Sequence, residues 1–201
     1  MSRSFLTLAI LVVGCGRTPF ELDGGAASDA GLTIDAGPGC VTEFHDVPRV
    51  RFDFPAQPCR FTLAQAAAGV SFRYAVTVDP LDAAFLESLP PGAQTCASPR
   101  PGLGLYVFER ISGQNGKGYC LCDQGNCQPS LPLKGPTPGR STFAFAWEGR
   151  EWYGPSDTGT QPGAPLPVGD YTFRIESTVS DVRTDAGATV LTGQFFFTVT
   201  P

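Results

Sequence analysis

Charge is scarce in this chain: Asp, Glu, Lys and Arg make up only 16% of its 201 residues. Histidine is scarcer still, with His45 the single one. A Ser-His-Asp site would have to use it, and residues 69–73 lack the final glycine of a nucleophile elbow. Residues 111–118 form no phosphate loop, since Ile111 stands where the first glycine belongs and Gly118 where Ser or Thr belongs. Paired Cys-x2-Cys knuckles are missing, which argues against zinc. Asp23, Asp29 and Asp35 are too widely spaced for the alternate-residue pattern of a calcium loop. No cofactor and no metal is therefore expected. Lys and Arg number 14 against 19 Asp and Glu, for a net charge of −5, which repels a phosphate backbone and excludes nucleic acid as an expected partner. No apolar run reaches the roughly 20 residues of a membrane-spanning helix. Nor is there a helical segment long enough for a βαβ crossover.

What the chain does contain is 24 glycines, 19 prolines and 15 phenylalanines, the composition of many turns around an aromatic core. It also contains an ordered beginning. Arg3 precedes an apolar run over residues 5–13, too short to span a bilayer and right for a signal peptide. The run ends in Val12-Val13-Gly14-Cys15. This order resembles the lipobox of bacterial lipoproteins. The resemblance implies diacylglyceryl transfer to the Cys15 thiol, cleavage after Gly14, and acylation of the new amino terminus. Each buried CH2 of an acyl chain contributes about 0.8 kcal/mol, and two or more chains give stable anchoring. In that family an aspartate after the cysteine favours the inner membrane in some bacteria, so Gly16 points to the outer membrane.

The expected organisation is a signal peptide over 1–14, a lipidated terminus and flexible tether over 15–39, and a β-sandwich over 40–201. The tether is rich in Gly, Ala and Asp and lacks the apolar content to fold. Glu21, Asp23, Asp29 and Asp35 outweigh Arg17 and keep it extended.

Alternation dominates the rest. Val50, Phe52 and Phe54 alternate with Arg49, Arg51 and Asp53, the period of a strand with one buried face. Val70, Phe72, Tyr74, Val76 and Val78 do the same, as do Phe143, Phe145 and Trp147. Leu103, Leu105, Val107 and Ile111 share a side. Residues 171–178 and 195–200 are the last strong strands. Residues 59–63 read as a shorter strand, residues 64–68 as one helical turn, and residues 81–89 as a short helix stopped by Pro90-Pro91-Gly92. Short strands separated by turn signals predict an all-β sandwich of about seven to nine strands.

Trp147-Glu148-Gly149 and Pro167-Val168-Gly169-Asp170-Tyr171-Thr172-Phe173 look like a pattern in secreted bacterial Ig-like domains. A Trp-acid-Gly turn leaves one strand there, and a Pro-x-Gly-x-Tyr segment starts the next. The pattern is similar to the Ig-like part of flagellar hook-capping proteins and to the BsuPI type of proteinase inhibitor. It implies an Ig-like sandwich and, for the second family, an exposed inhibitory loop at residues 150–166.

Besides Cys15, the cysteines are Cys40, Cys59, Cys96, Cys120, Cys122 and Cys127. Six in an exported domain point to three disulfides. Cys120 and Cys122 face one side of a strand, so each needs its own partner. The favoured pairing is Cys122–Cys127, Cys96–Cys120 and Cys40–Cys59, with thiolate-bound zinc as the rival.

The expected function is a lipid-anchored envelope protein with a non-catalytic binding or structural domain. Its partners are the membrane, through Cys15, and a protein or carbohydrate. Trp152-Tyr153 is the candidate binding pair, against the alternative that both rings pack over the end of the sandwich. A proteinase inhibitor is the first alternative. A carbohydrate-active or other envelope enzyme is the second, and would gather His45 or a carboxylate pair such as Glu148 and Glu151 in a pocket.

Overall fold

Strand periodicity becomes two packed sheets in the computed structural model, which describes residues 40–45, 49–90, 97–99, 103–122, 131–155 and 162–201. At residues 97–99, 120–122 and 153–155 it describes the backbone path alone. The chain begins with β1 (Thr42–His45), β2 (Val50–Asp53) and β3 (Arg60–Thr62), then helix α1 (Leu63–Ala68). Strands β4 (Val70–Val78), β5 (Leu86–Leu89), β6 (Ala97–Pro99) and β7 (Tyr106–Gly113) follow. Next come β8 (Gly118–Cys122), β9 (Leu133–Lys134), β10 (Gly139–Trp147) and β11 (Trp152–Pro155). The two longest, β12 (Gly169–Asp181) and β13 (Ala188–Thr200), close the fold.

The larger sheet runs β1-β13-β12-β7-β8-β11, with β3 also on β13, β5 on β12, β9 on β5 and β6 on β7. The smaller is β10-β4-β2, antiparallel throughout. The architecture is the all-β sandwich that the alternation requires. Thirteen strands are present among the described residues, because short edge pieces of two to five residues border the five long ones.

The core lies between the sheets and is aromatic. Phe72 of β4 sits at its centre, with ring centroids 5.0 Å from Phe173, 4.8 Å from Phe197 and 6.2 Å from Trp147. Phe145 also stacks on Phe173, at 4.9 Å. Rings offset or edge-on at these separations gain about 0.5–1.5 kcal/mol beyond their burial. Along β12, Tyr171, Phe173, Ile175 and Val179 point inward; along β13, Leu191, Phe195, Phe197 and Val199 do.

Three local devices hold the margins. Helix α1 is the expected single turn, started by a capping box in which Thr62 Oγ1 accepts from the Gln65 amide and the Gln65 side chain accepts from the Thr62 amide. The Trp147-Glu148-Gly149 turn needs its glycine. Gly149 has φ +68°, and a Cβ there would stand 2.8 Å from the Ala66 backbone. The Gln57 side chain, between Pro55 and Pro58, meets the β4 backbone beyond the end of β2: its Oε1 accepts from the Arg73 amide at 2.7 Å and its Nε2 donates to the Arg73 carbonyl at 2.9 Å.

One element differs from expectation. Residues 81–89 are not a helix but a 3-10 turn (Ala83–Phe85) running into β5. Leu86 and Ser88 point into the core while β5 pairs with the end of β12, so a vacant edge of the long strand overrides local propensity.

Candidate functional site

The outer face of the larger sheet carries the best candidate site. Inward-pointing residues of β12 and β13 alternate with outward-pointing ones. Register then sets these in rows across the strands. One row is Thr192, Glu176 and Phe108; the next is Gln194, Arg174 and Arg110; the third is Phe196, Thr172 and Ser112. Strand β1 extends the first two rows with His45 and Glu43.

A groove of about 650 Å³ opens over the third row. Val41 and Phe196 give it apolar wall, Ser112 and Thr172 give hydroxyls, and Glu43, Asp170 and Arg60 bring charge to its lining. The Cys40–Cys59 disulfide closes one side. It joins the ends of two short strands that share one edge of β13, where Phe196 donates to the Val41 carbonyl and Thr198 to the Cys59 carbonyl.

Beside the groove lies a charge arrangement that sheets usually avoid. Arg174 and Arg110 are direct cross-strand partners on the same face. Like charges so placed repel. Arg174 Nη2 pairs with Glu176 at 2.6 Å, and both side chains are 29% exposed. Arg110 lies over the Phe108 ring at 5.5 Å and has no ion pair among the described residues. The Nε of each arginine is buried without a hydrogen-bond partner.

The residues singled out from sequence are dispersed. His45 is exposed on β1 opposite Thr192, with no hydrogen bond or ion pair among the described residues. Glu148 is exposed, whereas Glu151 is held by Lys117 at 2.8 Å. Trp152 is half-buried on β11, its ring centroid 6.5 Å from that of Tyr119, which in turn meets Phe145 edge-on at 5.7 Å. Trp152 thus packs at the margin of the sandwich, through rings leading to the core. The Tyr153 side chain lies outside the described residues, as do Cys15, Cys96, Cys127 and the side chains of Cys120 and Cys122. So do the calcium candidates Asp23, Asp29 and Asp35. Among the described residues no cluster of His, Cys, Asp and Glu is arranged to hold a metal ion.

Arg110, Arg174, Phe196 and Thr172 escaped sequence reasoning. The alternation around Phe173 and Ile175 does put Arg174 on the outward face. Its neighbour Arg110, however, comes from a distant part of the chain and arrives only through the β7–β12 register. No protein-family model, curated protein or solved structure matches the chain.

Proposed function

We propose that this chain is a lipoprotein of the cell envelope, held by acyl chains on Cys15 and sorted to the outer membrane, whose β-sandwich binds a ligand without transforming it. The observation that carries the binding role is the outer-face groove, with its hydroxyl and phenyl lining and the two facing arginines beside it. Anchoring rests on the order Val12-Val13-Gly14-Cys15 at the end of a short apolar run. Among the described residues no helix is long and apolar enough to cross a membrane. Acylation supplies the attachment in this reading.

The experiment is intact mass on protein extracted from its native membrane. Cleavage before Cys15 with added acyl chains is the expected result, and Cys15→Ser should leave the leader uncleaved and the protein unacylated. An unacylated wild-type mass would overturn the anchor. Binding to envelope glycans and proteins, followed by calorimetry, tests the second half.

Proteinase inhibition is a second reading, favoured by the bracing at the base of the loop spanning residues 150–166. Leu166 donates to the Gly149 carbonyl at 2.7 Å, Glu151 to the Ala164 carbonyl at 2.9 Å and Gly163 to the Glu151 carbonyl at 2.8 Å. Titration against a panel of secreted proteases decides it, since an inhibitor lowers one of those activities stoichiometrically.

A further inference from the structure

We infer that the Arg110–Arg174 pair is the anchor point for a singly charged oxoanion, a carboxylate or phosphodiester, carried on a polyhydroxy unit that lies in the adjoining groove. The inference rests on the binding role proposed above and names the ligand chemistry of that same face.

Charge comes first. Glu176 neutralises Arg174, which leaves the guanidinium of Arg110 uncompensated among the described residues. One surplus positive charge suits one negative charge. The groove lining itself carries Glu43 and Asp170 against Arg60, one net negative charge that disfavours a polyanion.

Geometry comes second. Adjacent strands stand about 4.8 Å apart, so two guanidiniums projecting from partnered positions reach one oxoanion together. Each Nε–H now lies buried without an acceptor, a state that costs free energy unless a partner arrives. A half-buried, like-charged pair on central strands reduces stability. Nothing in the packing requires it, because Arg110 and Arg174 point away from the core.

Lining comes third. One row along from the arginines, Ser112 and Thr172 face each other across β7 and β12, with Phe196 next to Thr172 on β13. Hydroxyls beside an aromatic ring fit the edge and face of a sugar or glycerol unit, which donates and accepts at its rim and presents C–H groups at its face.

The test uses the full-length protein in detergent, with selective 15N labelling of arginine side chains. The probes are a trisaccharide with one uronic acid among neutral sugars, its methyl ester, and glycerophosphoglycerol. Saturable shifts of the Arg110 and Arg174 Nε–H resonances with the acid and not with the ester are expected for a carboxylate ligand. The same shifts with glycerophosphoglycerol identify a phosphodiester ligand. Arg110→Met keeps the stem over Phe108 and should weaken binding by about tenfold or more, the scale of a lost charge-assisted hydrogen bond. Thermal unfolding of that variant checks its fold, and the wild-type titration stands without it. Absence of Nε–H shifts at millimolar probe overturns the inference. Glycan binding that leaves both Nε–H resonances unmoved also overturns it, while sparing the broader binding role.

Discussion

The hydroxyl of Tyr171 donates to the carbonyl of Pro167, four residues upstream, at 2.7 Å. It also accepts from Asn115 Nδ2 at 3.2 Å. A buried tyrosine near the start of a strand, tied back to the preceding corner, recurs in immunoglobulin-type sandwiches. Here it fixes where β12 begins and joins that corner to the β7–β8 turn. Tyr171→Phe leaves the Pro167 carbonyl without its partner and should cost about 1–3 kcal/mol. Urea denaturation followed by tryptophan fluorescence measures this, and an unchanged midpoint would refute it.

Gly113 should be intolerant for a related reason. A Cβ there would lie 2.5 Å from Cε1 of the Tyr171 ring and 2.7 Å from Asn115 Oδ1. Gly113→Ala is expected to destabilise by about 1–3 kcal/mol, the range for forced overpacking. The cost should shrink in a Tyr171→Phe background, where the ring is no longer tethered and can yield. A double-mutant cycle reads that coupling.

Four charged groups brace the far end of β12. Asp181 pairs with Arg49 and, at 2.8 Å, with Arg183, while Asp82 takes Arg183 at 2.5 Å. Asp181 is the least exposed of the four and also accepts from the Arg183 amide at 2.9 Å. Asp181→Asn should therefore cost more than Asp82→Asn, about 1–3 kcal/mol, since both arginines are partly exposed and water offsets some of the loss. Equal midpoints for the two variants in denaturant would contradict this ordering.

The Cys40–Cys59 bridge closes a separation of 19 residues, a loop for which crosslinking stabilises by about 3 kcal/mol. Replacing both cysteines by alanine should lower stability by that order. Hydrogen exchange should show β1 and β3 opening before the core strands, because both are short pieces on one edge of β13. Peptide mapping without reductant should recover Cys40–Cys59 together with Cys96–Cys120 and Cys122–Cys127. Ala97 pairs with Phe108 and Cys120 with Arg110, so β6 and β8 lie along one edge of β7.

The long strands were legible in the sequence because each carries a full alternating run, as from Val70 to Val78, and burial of one face demands that period. Strand β1 carries no such signal: all four of its residues are exposed, and only pairing with β13 makes it a strand. Strand β5 was misread because its apolar residues also satisfy a short helix, and the free edge of β12 decided between the two. The candidate site was the least legible part. Sequence shows which residues point outward, but not that Arg110 comes to rest beside Arg174.

The Gln57 amide has a consequence for how copies of this protein meet. By mimicking one residue of a neighbouring strand, it occupies both the donor and the acceptor of Arg73 where β2 has ended. An exposed stretch of that kind is a template for another chain's backbone. With the template filled from within, and prolines on either side of the plug, this edge of β4 offers no docking strand to another copy's backbone at Arg73.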